Sequence, residues 1–184
     1  MENREKRVVK EEVKKGLSIS DIILVAVLLA AGFVLKFFAG SFINIGGMKP
    51  NFIIAMYCLA ILIIRPKVYE AAIIGLLAGA VCQFFPGTPY INLISELLGA
   101  TLMGLLLRLP MRIGKFSLHP IVATFLSTEL SGGIYTVCLF AFAGADIATM
   151  AAYVPIVFFT GVLNAVIVQV LYLPLNAAFK KNRA

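Results

Sequence analysis

Gly46-Gly47-Met48-Lys49-Pro50-Asn51 is a short polar break in a chain that is apolar on either side. One apolar run ends near Phe42; the next begins at Phe52 and stops at Arg65. Read as a turn between two helices, the break makes each run a separate crossing of a hydrophobic layer. Gly46 and Gly47 permit backbone conformations closed to other residues. Pro50 fixes its own φ and has no N–H, which suits the first turn of a helix. The stretch therefore reads as a loop at a membrane surface. Lys49 and Asn51 place a cation and an amide there, in a loop that covers a ligand site or in an ordinary turn with a snorkelling lysine.

The rest of the chain supports a lipid solvent. Of its 184 residues 61% are hydrophobic and 14% charged, with a mean hydropathy of +0.98. A soluble domain carries about 25% charged residues, so these side chains are too few to cover a globule with a polar surface. The net charge of +7 does not point to nucleic acid, because the basic residues sit at the ends of apolar runs. Cys58, Cys82 and Cys138 are scattered within such runs without metal-ligand spacing and read as small buried hydrophobes. His119 stands without a Cys, Asp or Glu close to it in sequence. No HExxH, GxSxG or Walker A motif occurs. The reading is thus a non-enzyme with no metal and no cofactor.

Six spans follow in order, at residues 20–42, 50–64, 68–85, 90–109, 117–143 and 150–179. Each reaches across about 30 Å of hydrocarbon as a helix, the second only just. A charged tail, 1–19, precedes this transmembrane domain, 20–179, and a short tail, 180–184, follows it. Ser18 or Ser20 is placed to cap the first helix, with Asp21 in its first turn. Pro174 is expected to kink or fray the end of the sixth. Ala71, Gly75 and Gly79, at steps of four, let another helix approach closely. An all-α, polytopic six-helix bundle results. Fourteen of the 16 lysines and arginines fall on the side of the termini, leaving Lys36 and Lys49 opposite. The positive-inside rule then places both termini in the cytoplasm and the 46–51 loop outside.

Polar groups inside a membrane are costly and usually face a cavity or a partner. Glu96 lies roughly 9 Å inside the fourth span at 1.5 Å per residue, with Asn92 one turn above it. Gln83, Lys36 and Lys49 fall at the same level. These groups mark a pocket open to the outside, or else a Glu96–Lys36 ion pair joins two helices. Glu129 is near the middle of the fifth span, level with Thr160 and Asn164 of the sixth. A Glu129–Asn164 hydrogen bond is expected, in a structural or a ligand-binding role. Tyr57, Phe84, Phe85 and Tyr90 are candidates for an aromatic wall, or for interfacial anchors.

Ala26 and Ala30 form an Ala-x-x-x-Ala step in the first span. With six spans and fewer than 200 residues, this resembles the substrate-binding S components of energy-coupling factor transporters. Within them, Gly47-Met48-Lys49-Pro50 followed by a polar residue and an apolar run looks like the bacterial tryptophan transport protein group, and the neighbourhood of Pro89–Asn92 fits loosely. The chain departs from that pattern at Asn51, where the group carries an Asp after the proline. The resemblance implies a bundle in a bacterial cell membrane that binds tryptophan or a related aromatic solute. It further implies docking through the Ala26–Ala30 face onto a transmembrane coupling subunit served by two ATPases. Lys49 or Lys36 would then meet a carboxylate and Glu96 an ammonium, with Asn51, Asn92, Gln83, Tyr57, Glu129 and Asn164 completing the candidate site. A vitamin or modified base as cargo, or a membrane scaffold that transports nothing, are the alternatives.

Overall fold

The helices of the computed structural model follow one another in the order of the apolar runs. It describes residues 16–42, 49–85, 90–113, 116–142, 144, 146, 148 and 150–181. Gly46, Gly47 and Met48 of the polar break, the turn at 86–89 with its Pro89, and most of both charged tails lie outside the described residues. Among those described, six α-helices run: α1 Ile19–Phe42, α2 Ile53–Ile64, α3 Val68–Cys82, α4 Ile91–Leu106, α5 Thr124–Phe142 and α6 Met150–Lys181. A short π-helical turn, His119–Ala123, leads into α5.

The second helix is the hub. All of its residues, Ile53 to Ile64, are buried, as expected of a helix that is hydrophobic all round. It contacts α1, α3, α4, α5 and α6. Its 12 residues make it the shortest of the six described α-helices, shorter than the expected span. It ends where the sequence signals a stop: Arg65 turns left-handed at φ 52°, its N–H returns to Ile61 O at 2.9 Å, and Pro66 follows. At the start of α1, Ser18 takes the cap. Its Oγ accepts from Asp21 N at 3.3 Å while Asp21 Oδ2 accepts from Ser18 N at 2.9 Å, a reciprocal capping box.

Two local features add detail to the expected bundle. The basic loop after α4 contains a small antiparallel ladder, β1 Arg112–Ile113 with β2 Phe116–Ser117. The sixth helix, expected over 150–179, runs Met150–Lys181 with Pro155 and Pro174 both inside it, so its end does not fray at Pro174. Among the described residues, three helical stretches are long and apolar enough to cross a membrane, Ile19–Phe38, His119–Phe142 and Met150–Phe179, while α2, α3 and α4 are shorter apolar helices. Large apolar side chains such as Ile23, Val27, Phe37, Leu77, Phe159 and Val170 are exposed on the outside of the bundle. An apolar exterior of this kind is that of a membrane protein.

Candidate functional site

The site rests on how closely α3 and α4 pack. A methyl group added at Gly79 would lie 2.7 Å from Asn92 O and 2.8 Å from Leu93 Cα. One added at Gly75 would strike the Glu96 carbonyl and lie 2.5 Å from Ala100 Cβ. The stripe of small residues therefore serves a partner within the same chain. It seats the backbone of α4 directly on α3 at the two positions, Asn92 and Glu96, whose side chains turn toward the interior.

That interior holds a cavity of about 420 Å³, lined from all six α-helices and the approach to α2. Small-molecule sites usually measure about 300–1,000 Å³. Lys36, Lys49, Asn51, Asn92 and Glu96 all line it. Glu96 is 1% exposed, and both of its oxygens have donors: Oε1 accepts from Asn51 Nδ2, and Oε2 from Ser131 Oγ at 3.0 Å. Two donors on one buried carboxylate hold it at a fixed orientation.

Lys36 does not close a direct ion pair with Glu96. Its Nζ donates to Cys82 Sγ at 3.5 Å and stands 4.8 Å from the centroid of the Phe85 ring, a cation–π distance. Phe85 is itself braced by Phe33, centroid to centroid 4.8 Å. The helix-joining alternative is thereby replaced by an ammonium and a carboxylate that face one cavity from different walls.

The remaining sequence candidates fall elsewhere. Gln83 is a staple between helices: its Nε2 donates to Gly79 O at 3.0 Å and its Oε1 accepts from Tyr90 N at 3.1 Å. Tyr57 is fully buried in α2, with its hydroxyl against Gly99 of α4. Phe84 and Tyr90 are 80% and 71% exposed, so of the four expected aromatics only Phe85 lines the cavity. The expected Glu129–Asn164 bond is absent. Asn164 Nδ2 donates instead to Asn51 O at 3.1 Å and to Thr128 Oγ1 at 3.4 Å. Glu129 lies at the α5–α6 seam against Gly161, with Oε1 buried and without a hydrogen-bond partner among the described residues. Burial in the seam also explains the different neighbours: Glu129 points toward α6 where a glycine leaves room, while Asn164 points inward to α2.

Sequence reasoning missed most of the far wall. Thr128, Gly132, Tyr135 and Leu139 of α5 and Tyr153, Ile156 and Val157 of α6 line the cavity with Ser131 and Thr160. Their spacing of three to four residues puts each set on one helix face, so continuing the face of Ser131 by one turn and that of Thr160 by two would have found the tyrosines. Tyr153 is held by an edge contact with Phe140, 5.3 Å between centroids at 85°. His119, buried at the opposite end, hydrogen-bonds Ser117 Oγ at 3.0 Å and Leu109 O at 2.9 Å, which accounts for it as a structural brace.

Chemically, the cavity offers a buried carboxylate, two ammonium groups, two amides and several rings. It suits a small solute that carries both charges and an aromatic body. Comparison with known proteins gives the same direction. Residues 18–180 match the family model described as tryptophan transporter TrpP. A probable tryptophan transport protein of Clostridium acetobutylicum is 24% identical over 167 residues, covering 89% of this chain and 96% of that protein. No solved structure matches. With nearly its whole length inside the family model, the chain belongs to the tryptophan transporter TrpP family.

Proposed function

We propose that the protein is the substrate-binding membrane subunit of an importer for tryptophan or a close indole relative, and that the 420 Å³ cavity is where the solute binds. The observation that carries this reading is the pairing of Glu96 and Lys36 across one cavity walled by Phe85, Tyr135 and Tyr153. Glu96 accepts from the substrate ammonium. Lys36 or Lys49 meets the carboxylate, Asn92 and Asn51 orient the head group, and the rings enclose the indole. Aromatic contacts of this kind contribute about 0.5–1.5 kcal/mol beyond burial.

In this account six helices cross a bacterial cell membrane with both termini in the cytoplasm, so the cavity opens outward. The chain has no ATPase motif, and energy comes from a transmembrane coupling subunit with two ATPases. Ala26 and Ala30 are exposed on α1, which leaves their face open to such a partner. Small residues there allow close helix contact. The Ala26→Leu, Ala30→Leu double variant should bind solute normally and fail to support uptake. Retained uptake would remove α1 as the coupling face.

The test of the substrate is equilibrium binding to purified protein. Tryptophan should bind, while tryptamine, which lacks the carboxylate, and indole-3-propionate, which lacks the ammonium, should each bind at least tenfold more weakly. Equal binding of all three would remove the two-charge reading, and tight binding of a vitamin with none of tryptophan would replace the substrate.

A further inference from the structure

Asn164 is fully buried and does not line the cavity, yet it is bound to the residue that touches Glu96. We infer that Asn164 is a positioning residue: through Asn51 it sets the placement of the Glu96 carboxylate and anchors the segment that carries Lys49. The inference rests on the cavity being the solute site, and deepens that reading.

The geometry runs as a relay across three elements. Asn51 O can only accept, so the nitrogen of the Asn164 amide is the atom that faces it at 3.1 Å. The same nitrogen reaches Thr128 Oγ1 at 3.4 Å, and that hydroxyl spends its own proton on Thr124 O at 2.9 Å. Both protons of the Asn164 amide therefore have acceptors, while its Oδ1 is buried without a hydrogen-bond partner among the described residues.

Asn51 stands where the chain enters α2, a helix start with no side-chain cap. Asparagine is among the best capping residues, but this one turns its side chain away, onto Glu96 Oε1 and to within 3.8 Å of Cys82 Sγ. Its backbone is thus held by α6 and its amide by α4. Loss of the Asn164 bond would leave the carbonyl of the half-buried Asn51 without its partner, and the segment would shift to find another. The amide on Glu96 would move with it, as would Lys49 two residues earlier.

Two arms test this. The first needs no solute. With Cys58 and Cys138 replaced by alanine, Asn51→Cys should be oxidised readily to a crosslink with Cys82, since Cys82 Sγ lies 3.8–3.9 Å from the Asn51 amide atoms. Adding Asn164→Ala should slow that crosslinking at least fivefold; an unchanged rate overturns the proposal. Asn164→Leu, apolar and of similar size, serves as the second variant, and monodisperse elution shows that each is folded. The second arm is a double-mutant cycle on tryptophan affinity. Asn164→Ala should weaken binding about tenfold in the natural chain and clearly less in Asn51→Ala, which keeps the carbonyl bonded to Asn164 but has no amide on Glu96. An equal effect in both backgrounds, or none in either, overturns the relay. Failure of the unaltered protein to bind tryptophan counts against the substrate alone, because the crosslinking arm still decides the placement of Asn51.

Discussion

Glu96 and Glu129 are two acids set well inside apolar helices, each followed within four residues by glycine, and the fold uses them differently. Glu96 sits where α4 is pressed onto α3, with donors from Asn51 and Ser131 on its two oxygens and a cavity in front of it. Glu129 sits at the α5–α6 seam, lines no part of that cavity, and leaves Oε1 without a donor among the described residues. An acid in an apolar helix is thus not by itself a site. What distinguishes Glu96 is the convergence of other elements on it, and that convergence depends on glycines in the neighbouring helix.

The contrast breaks most sharply at the carboxylates. Glu96→Gln should reduce tryptophan affinity roughly 10- to 100-fold, taking a hydrogen bond to a charged group as about 1.5–3 kcal/mol, measured by titration calorimetry in detergent. Parity with the unaltered protein would put Glu96 on the same footing as Glu129. The next effect concerns the frame. Gly75→Val should lower stability by about 1–3 kcal/mol through overpacking, read as a fall in the thermal unfolding midpoint. Gly133→Ala, inside α5 where a new methyl group meets nothing within 4 Å, should instead raise stability by about 0.5–1 kcal/mol. Equal shifts in the two variants would dissolve the distinction between a tight α3–α4 face and an open α5 face. Tyr153→Ala should weaken binding about fivefold, equivalent to about 1 kcal/mol for one aromatic contact. The smallest effect belongs to Glu129→Gln, which should change affinity less than twofold; a tenfold loss would bring Glu129 into the site.

Much of the helical order was legible because lipid-facing helices need long apolar runs, and Arg65-Pro66, Ser18 and Asp21 mark ends by local chemistry. The cavity was half legible. Lys36, Lys49, Asn51, Asn92 and Glu96 stand out as polar residues in apolar surroundings, and that signal survives without a structure. Tyr135, Tyr153 and Val157 carry no such signal, since tyrosine and valine are ordinary in these helices and only helix-face continuity links them to the site. Asn164 and Glu129 were misjoined for a related reason. Equal depth along two helices says nothing about rotation, and rotation sends Asn164 toward α2 and Glu129 toward Gly161. Gln83 misled through position: it is level with the site but turned to the end of α3, where it ties Gly79 to Tyr90.

The most direct measurement is an experimentally determined structure of the protein with tryptophan bound. The account predicts the ammonium within hydrogen-bonding distance of Glu96, the carboxylate toward Lys36 or Lys49, and the indole among Phe85, Tyr135 and Tyr153. Tryptophan seated outside this cavity, or turned with its carboxylate on Glu96, would contradict it.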